Sequence, residues 1–242
     1  MNNFLFDTHS HLDLVKDFDN VVSEIEQKKI YTIAVTNLPV LYKKMLHRIN
    51  SKYIKPALGF HPELVGQYQK YISDMWAYLP EAKYIGEVGI DLKVSKTSGV
   101  IQTHFFEELI YRCNHLGGKI LTIHSRGSAD EVVKIIGDGF NGSFILHWYS
   151  GSTKTLERAV ENGAYFSINY SMINSVSGQK LILRIPNDRL LIESDTPFVV
   201  VQNKVFDTLL VDEIVKGLAN LKGIAYADML TILCANFRKA IS

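Results

Sequence analysis

Two histidines one residue apart, His9 and His11, close an apolar opening run in Phe4-Leu5-Phe6-Asp7-Thr8-His9-Ser10-His11-Leu12-Asp13. On an extended strand, residues two apart face the same way, so both imidazoles can reach one ion while Thr8 and Ser10 face elsewhere. A His-x-His pair alone is a weak sign of metal binding, because short polar motifs recur by chance. Its weight comes from where the other imidazoles and carboxylates fall. Glu87 lies in Gly86-Glu87-Val88-Gly89-Ile90-Asp91, His124 in Ile123-His124-Ser125-Arg126, His147 in His147-Trp148-Tyr149-Ser150-Gly151, and Asp195 in Glu193-Ser194-Asp195-Thr196-Pro197. Such donors together suit zinc, manganese or a similar divalent ion, and two ions sharing a carboxylate can clamp the attacking and leaving oxygens of a displacement. Glu87 suits the bridging position. Taken singly, His124 and His147 read as structural histidines and Asp195 as a helix cap before Thr196-Pro197; their joint placement predicts a metal centre.

That placement is set by the elements. Short β-rich apolar runs at residues 3–7, 31–36, 54–59, 84–87, 120–123, 144–146, 164–168 and 190–192 alternate with helical patterns at 21–29, 41–51, 71–79, 102–116, 129–136, 154–161, 205–221 and 226–240. Ser152 can cap the helix that follows it, and Gly117-Gly118 can end the helix expected at 102–116. Repeated β–α units imply a parallel sheet, and eight of them predict a (β/α)8 TIM barrel, with a doubly wound open sheet as the alternative. Most of the residues singled out follow a predicted strand and Glu87 closes one, so a barrel gathers them at its C-terminal mouth. His47, His104 and His115 fall in helical segments, and His61 follows the third strand.

Length and composition agree with one domain over residues 1–242, since 47% of the 242 residues are apolar. A net charge of +1 provides no global basic field, so any contact with nucleic acid should be local, such as a chain end held in a pocket. No stretch approaches a membrane span and Met1-Asn2-Asn3 carries no positive segment, which predicts a cytoplasmic protein without a membrane partner. Cys113 and Cys234 both lie in helix-like segments, which argues against a disulfide framework or a cysteine zinc site.

Together with Gly59-Phe60-His61-Pro62, the motifs quoted above resemble the TatD family of metal-dependent DNases, within the amidohydrolase-like barrels, over nearly the whole chain. The resemblance implies two divalent metal ions (zinc, manganese or magnesium), with His9, His11 and Asp195 on one, His124 and His147 on the other, and Glu87 between. It also implies a DNA substrate, as a single strand or an end. Residues 30–36, 112–119 and 235–238 are most similar to TatD-type nucleases of Qat anti-phage cassettes, which implies a defence role and partner proteins from such a cassette. Two departures stand out: residues 198–204 are short and apolar where many relatives carry an Arg- and Lys-rich loop, and Leu92-Lys93 replaces an aromatic pair followed by Arg.

The expected reaction is phosphodiester hydrolysis at a DNA end by a metal-bound hydroxide, with Asp195 and Glu87 as the catalytic carboxylates. His61 is a candidate for phosphate or metal-bound water, or else part of a structural turn. Arg126 can clamp phosphate, or pair with Asp130 or Glu131. Ser150 and Gly151 can offer backbone N–H groups, while Trp148 and Tyr149 stack on bases or form pocket wall. Two rival readings keep the fold: hydrolysis of a small amide, ester or ring substrate, or a partner-dependent subunit of a defence complex.

Overall fold

Runs rich in β-branched and aromatic residues, punctuated by Gly, Pro and polar clusters, become strands. The structure, a computed structural model, describes residues 3–93, 96–201, 204–205 and 207–242. Its barrel strands are β1 (Phe6–Ser10), β2 (Tyr31–Ala34), β3 (Ile54–Pro56), β4 (Tyr84–Gly89), β5 (Lys119–His124), β6 (Gly142–His147), β7 (Tyr165–Ile168) and β8 (Leu190–Ile192). They pair in parallel in the orders β1-β2-β3 and β4-β5-β6-β7-β8.

Two seams join these sheets into a ring. Between β3 and β4, the Leu58 N–H donates to the Tyr84 carbonyl at 2.9 Å and the Gly86 N–H donates to the Leu58 carbonyl at 2.8 Å. Between β8 and β1, the Thr8 hydroxyl donates to the Ile192 carbonyl at 3.0 Å. Just beyond, the Asp195 N–H donates to the His9 carbonyl and the His11 N–H to the Thr196 carbonyl, both at 2.9 Å. The fold is therefore the expected TIM barrel and not the open sheet.

The helices are α1 (Phe18–Lys28), α2 (Pro39–Arg48), α3 (Pro62–Val65), α4 (Ile72–Tyr78), α5 (Lys96–Leu116), α6 (Ala129–Ile136), α7 (Thr153–Glu161), α8 (Tyr170–Ile173), α9 (Val176–Arg184), α10 (Val211–Lys222) and α11 (Tyr226–Ala240). Ser152 caps α7 by accepting from the Thr155 N–H, and Gly117 and Gly118 end α5 at φ 68° and 63°, where a Cβ would be strained. Among the described residues no single helix is long and apolar enough to cross a membrane.

Three expectations are corrected. The first strand lies at Phe6–Ser10 instead of 3–7, so His9 is inside it. The helix expected from residue 205 starts at Val211, after a 3-10 turn at Thr208–Leu210; of the expected span, residue 206 lies outside the described residues. The stretch between β7 and β8 carries α8 and α9, which the sequence pattern did not predict, and a small antiparallel pair, β9 (Val200–Val201) and β10 (Lys204–Val205), follows the barrel.

Candidate metal centre

The side chains at the mouth are placed by backbone hydrogen bonds that cross the seams. The Glu87 N–H donates to the Thr36 carbonyl at 3.1 Å and its carbonyl accepts from the Phe60 N–H at 3.0 Å, tying Glu87 to the loops after β2 and β3. Gly59 permits this: a Cβ there would lie 1.6 Å from the Thr36 carbonyl oxygen. A register shift between Asp7 and Ser10 breaks the alternation of β1. Asp7 and Ser10 both reach the Thr208 hydroxyl, at 2.9 and 3.0 Å, while the His9 ring lies across the barrel with Nδ1 2.7 Å from the Thr122 hydroxyl.

From these strand ends the imidazoles converge. His9 Nε2 lies 3.3 Å from His11 Nε2, and the His9 and His147 rings stack at 3.9 Å. Glu87 sits at the centre and its two oxygens face different histidines. Oε2 is 3.2 Å from His11 Nε2 and 3.6 Å from His9 Nε2. Oε1 is 2.7 Å from His124 Nδ1, 3.0 Å from His147 Nε2 and 3.5 Å from His61 Nε2. Asp195 Oδ1 lies 3.8 Å from both His9 Nε2 and His11 Nε2.

Ligand atoms lie within 4.8 Å of one another in three sets: His9, His11 and Glu87; His9, His147 and Asp195; His61, Glu87 and His124. Imidazole nitrogens facing one another around carboxylates gain little from hydrogen bonding alone, and this donor set fits divalent cations. The six residues expected to hold metal are thus brought together, and His61 joins them.

Electrostatics follow from burial and mutual contact. Burial opposes charge on Glu87, yet His61 and His147 nearby, with hydrogen bonds from His11 and His124, hold its carboxyl well below the usual range. Burial pushes the Asp195 carboxyl well above its usual range, against the pull of His147. His9 is pushed down by burial and by His147. Burial also opposes charge on His147, but the Glu193 and Glu87 carboxylates raise it well above an ordinary imidazole.

Two carboxylates outside the expected set complete the arrangement. Asp91 Oδ2 lies 2.7 Å from His124 Nε2 and accepts from Arg126 Nε at 2.8 Å. Glu193, fully buried, lies 3.5 Å from His147 Nδ1 and accepts from the Trp148 N–H and from Asn169 Nδ2. Such partners fix ring orientation and raise ligand basicity. Both lie in the quoted motifs. Glu193 sits two residues before Asp195, the spacing that places two side chains on one face of an extended segment.

The substrate candidates divide. His61, Arg126, Trp148 and Ser150 line a cavity of about 580 Å³ at the mouth. His61 also caps α3, its Nδ1 accepting from the Glu63 N–H at 3.3 Å. Arg126 forms ion pairs, but with Asp91 and Glu63 instead of Asp130 or Glu131. Those two are engaged elsewhere, Asp130 by Arg158 and Glu131 by Thr103. Tyr149 and Gly151 do not line the cavity. The Tyr149 ring is 1% exposed, donates to the Ser152 carbonyl and packs edge-on against Phe166, and Gly151 lies against it, where a Cβ would meet the phenol oxygen. The helix-cap alternative for Asp195 also gives way: its carbonyl accepts from the Phe198 and Val199 N–H groups in a turn. Of the apolar loop after Pro197, residues 202 and 203 lie outside the described residues.

The comparisons agree with this geometry. The profile of the family described as TatD related DNase matches residues 6–242. An uncharacterized metal-dependent hydrolase, YabD of Bacillus subtilis, is 26% identical over 253 residues, covering 97% of this chain and 98% of its own. The human deoxyribonuclease TATDN3 is 24% identical over 260 residues, covering 97% of this chain and 93% of its own. The crystal structure of YJJV, a TatD homologue from Escherichia coli, superposes with a TM-score of 0.84 at 19% identity, over 98% of this chain and 97% of that one. A match that runs from the first barrel strand to the last residue, on a barrel whose mouth gathers imidazoles around a buried carboxylate, places the chain in the TatD family of metal-dependent hydrolases.

Proposed function

We propose that this protein is a deoxyribonuclease that hydrolyses phosphodiester bonds at DNA ends, using two divalent ions that share Glu87. The observation that carries the reading is the division of the Glu87 carboxylate, with Oε2 toward His9 and His11 and Oε1 toward His124 and His147. On this reading His9, His11 and Asp195 hold one ion, His124 and His147 the second, and zinc, manganese or magnesium fills both positions. Divalent ions, when bound, supply Lewis acidity and lower the pKa of water toward neutrality.

The chain's own groups supply the rest. Asp195, in the cavity wall beside His9 and His11, is placed to accept the proton of the attacking water. Glu193 and Asp91 hold the rings of His147 and His124. His61, in the cavity wall, is placed to orient a phosphate oxygen. Glu87 is 2% exposed and Asp195 3%, and a chain end reaches such a recessed centre more readily than the middle of a strand, which supports trimming from an end. One domain spanning residues 1–242 carries this activity. The resemblance of residues 30–36, 112–119 and 235–238 to Qat-cassette nucleases supports a role in anti-phage defence, in the cytoplasm and alongside partners from such a cassette.

The test is nucleotide release from end-labelled single-stranded DNA with manganese, magnesium or zinc, comparing wild type with Glu87→Ala and Asp195→Ala. Metal-dependent shortening that both substitutions abolish is the expected result. Amine or acid released from a small-substrate panel, with DNA left intact by folded, metal-loaded protein, would overturn it in favour of an amidohydrolase.

A further inference from the structure

Among the described residues, the lining of the cavity is poor in the groups that usually grip phosphate. Among the described lining residues Arg126 is the only lysine or arginine, and its Nε and Nη2 are held by the Asp91 and Glu63 carboxylates at 2.8 and 3.0 Å. Asn37, also in the lining, is neutral, and its Oδ1 is buried without a hydrogen-bond partner. What the rim does offer is aromatic surface next to the centre.

Phe198 is 54% exposed, lines the cavity and stands edge-on to the His11 ring, with centroids 5.0 Å apart and planes at 90°. It is not a loose side chain at a loop tip. Its N–H donates to the Asp195 carbonyl at 2.8 Å, and the next residue, Val199, is fully buried. The ring is therefore tied at its backbone to one candidate ligand and in contact with another, while half of its surface faces water. Trp148, the other aromatic residue of the lining, packs partly against the core. The ring contact of this exposed side chain is, among the described residues, with His11, a candidate ligand, and a planar π-face is a sequence-tolerant platform for a nucleobase.

We infer that Phe198 stacks the unpaired nucleobase beside the bond to be cut, so that the site reads strand ends by their terminal base. This rests on the reading of the site as a nuclease for DNA ends.

The test is binding, measured by fluorescence anisotropy with the manganese-loaded protein. The probes are short single-stranded oligodeoxynucleotides labelled in the middle, carrying either an ordinary or an abasic terminal nucleotide, at the 3′ and the 5′ end in turn. At one end, loss of the base is expected to weaken wild-type binding about tenfold, and Phe198→Ala to reduce that ratio below about twofold, with Phe198→Trp restoring it. Phe198→Leu, which keeps apolar volume without a π-face, should behave as alanine does and serves if the alanine variant fails to fold. Absence of wild-type binding, or the same base dependence in wild type and in the folded alanine or leucine variant, would overturn the inference. Strand shortening is read in the same samples, so a base-dependent binder that never cuts would sink the nuclease reading and leave Phe198 as a base platform.

Discussion

The two ends of the barrel solve opposite problems. At the N-terminal end of the strands, Lys119 opens β5 with its ammonium buried, and Nζ donates to the carbonyls of Leu79, Pro80 and Ala82, each at 2.8 Å. Nearby, Asn236 donates to the carbonyls of Asn187 and Leu190, and Phe6 stacks on Phe237 at 4.4 Å. The polar groups named there are all committed. At the C-terminal mouth, His11 Nδ1, both Asp13 oxygens, Asn37 Oδ1 and Thr196 Oγ1 are buried without hydrogen-bond partners among the described residues. Trp148 and Asp195 also hold positive φ angles of 38° and 49° there, a conformation that costs residues with a Cβ about 1–3 kcal/mol. Buried polar groups go unsatisfied only where something else gains from it. The closed end stabilises the fold, and the open end gives up part of that stability at the candidate site.

The comparison breaks if substitutions at the two ends have the same consequences. The largest effect belongs to Glu87, whose two carboxylate oxygens face the two histidine sets: Glu87→Ala should lower activity on the order of 10³-fold while thermal unfolding stays near wild type. The reverse is expected at the closed end. Lys119→Met orphans three carbonyls and should cost about 2–4 kcal/mol in urea unfolding, with activity per folded molecule retained. Activity lost in Lys119→Met under conditions where it is fully folded would mean that the two ends are coupled. A smaller effect tests the support behind the ligands. Glu193→Gln keeps the shape that receives the Trp148 N–H but loses the charge beside His147 Nδ1, so affinity for manganese should fall about 10–100-fold by titration. Unchanged affinity would show that Glu193 anchors the Trp148 turn and Asn169 without supporting the candidate ligands.

The same contrast explains what could be read from the chain. The strands were legible because their apolar residues cluster locally, and Ala129–Ile136 and Tyr226–Ala240 were legible as helices from their periodicity. The true span of β1 is hidden in the sequence because Asp7, His9 and Ser10 are polar yet buried, their partners lying on β5 and after β8. α9 was missed because Val176 and Leu183, 72% and 55% exposed, blur its apolar stripe. At the mouth, residues that follow strands could be collected by position alone, whereas the partner of Arg126 could not, since Glu63 comes from the far side of β4 and β5 in sequence. Tyr149 misled for a similar reason: adjacency to His147 says nothing of which way a ring turns once the chain leaves the strand.

Asp7 marks the boundary between the two regimes and gives the smallest effect. Its Oδ1 accepts from the N–H groups of His9 and Ser194, and its Oδ2 from the hydroxyls of Ser194 and Thr208. All four favour the ionised form, yet burial outweighs them and raises the carboxyl from 3.8 to about 7. Between those values the folded protein keeps a proton that the unfolded chain has released, so the contribution of Asp7 to stability falls as pH rises. Asparagine can make the same contacts, its amide donating to the two hydroxyl oxygens, but cannot ionise. Metal-free Asp7→Asn should therefore lose less stability than wild type from pH 5 to pH 6, by about 1 kcal/mol in urea unfolding. Parallel pH profiles for the two proteins would mean that the four donors overcome burial, and that the floor beneath His9 is as fully satisfied as the closed end of the barrel.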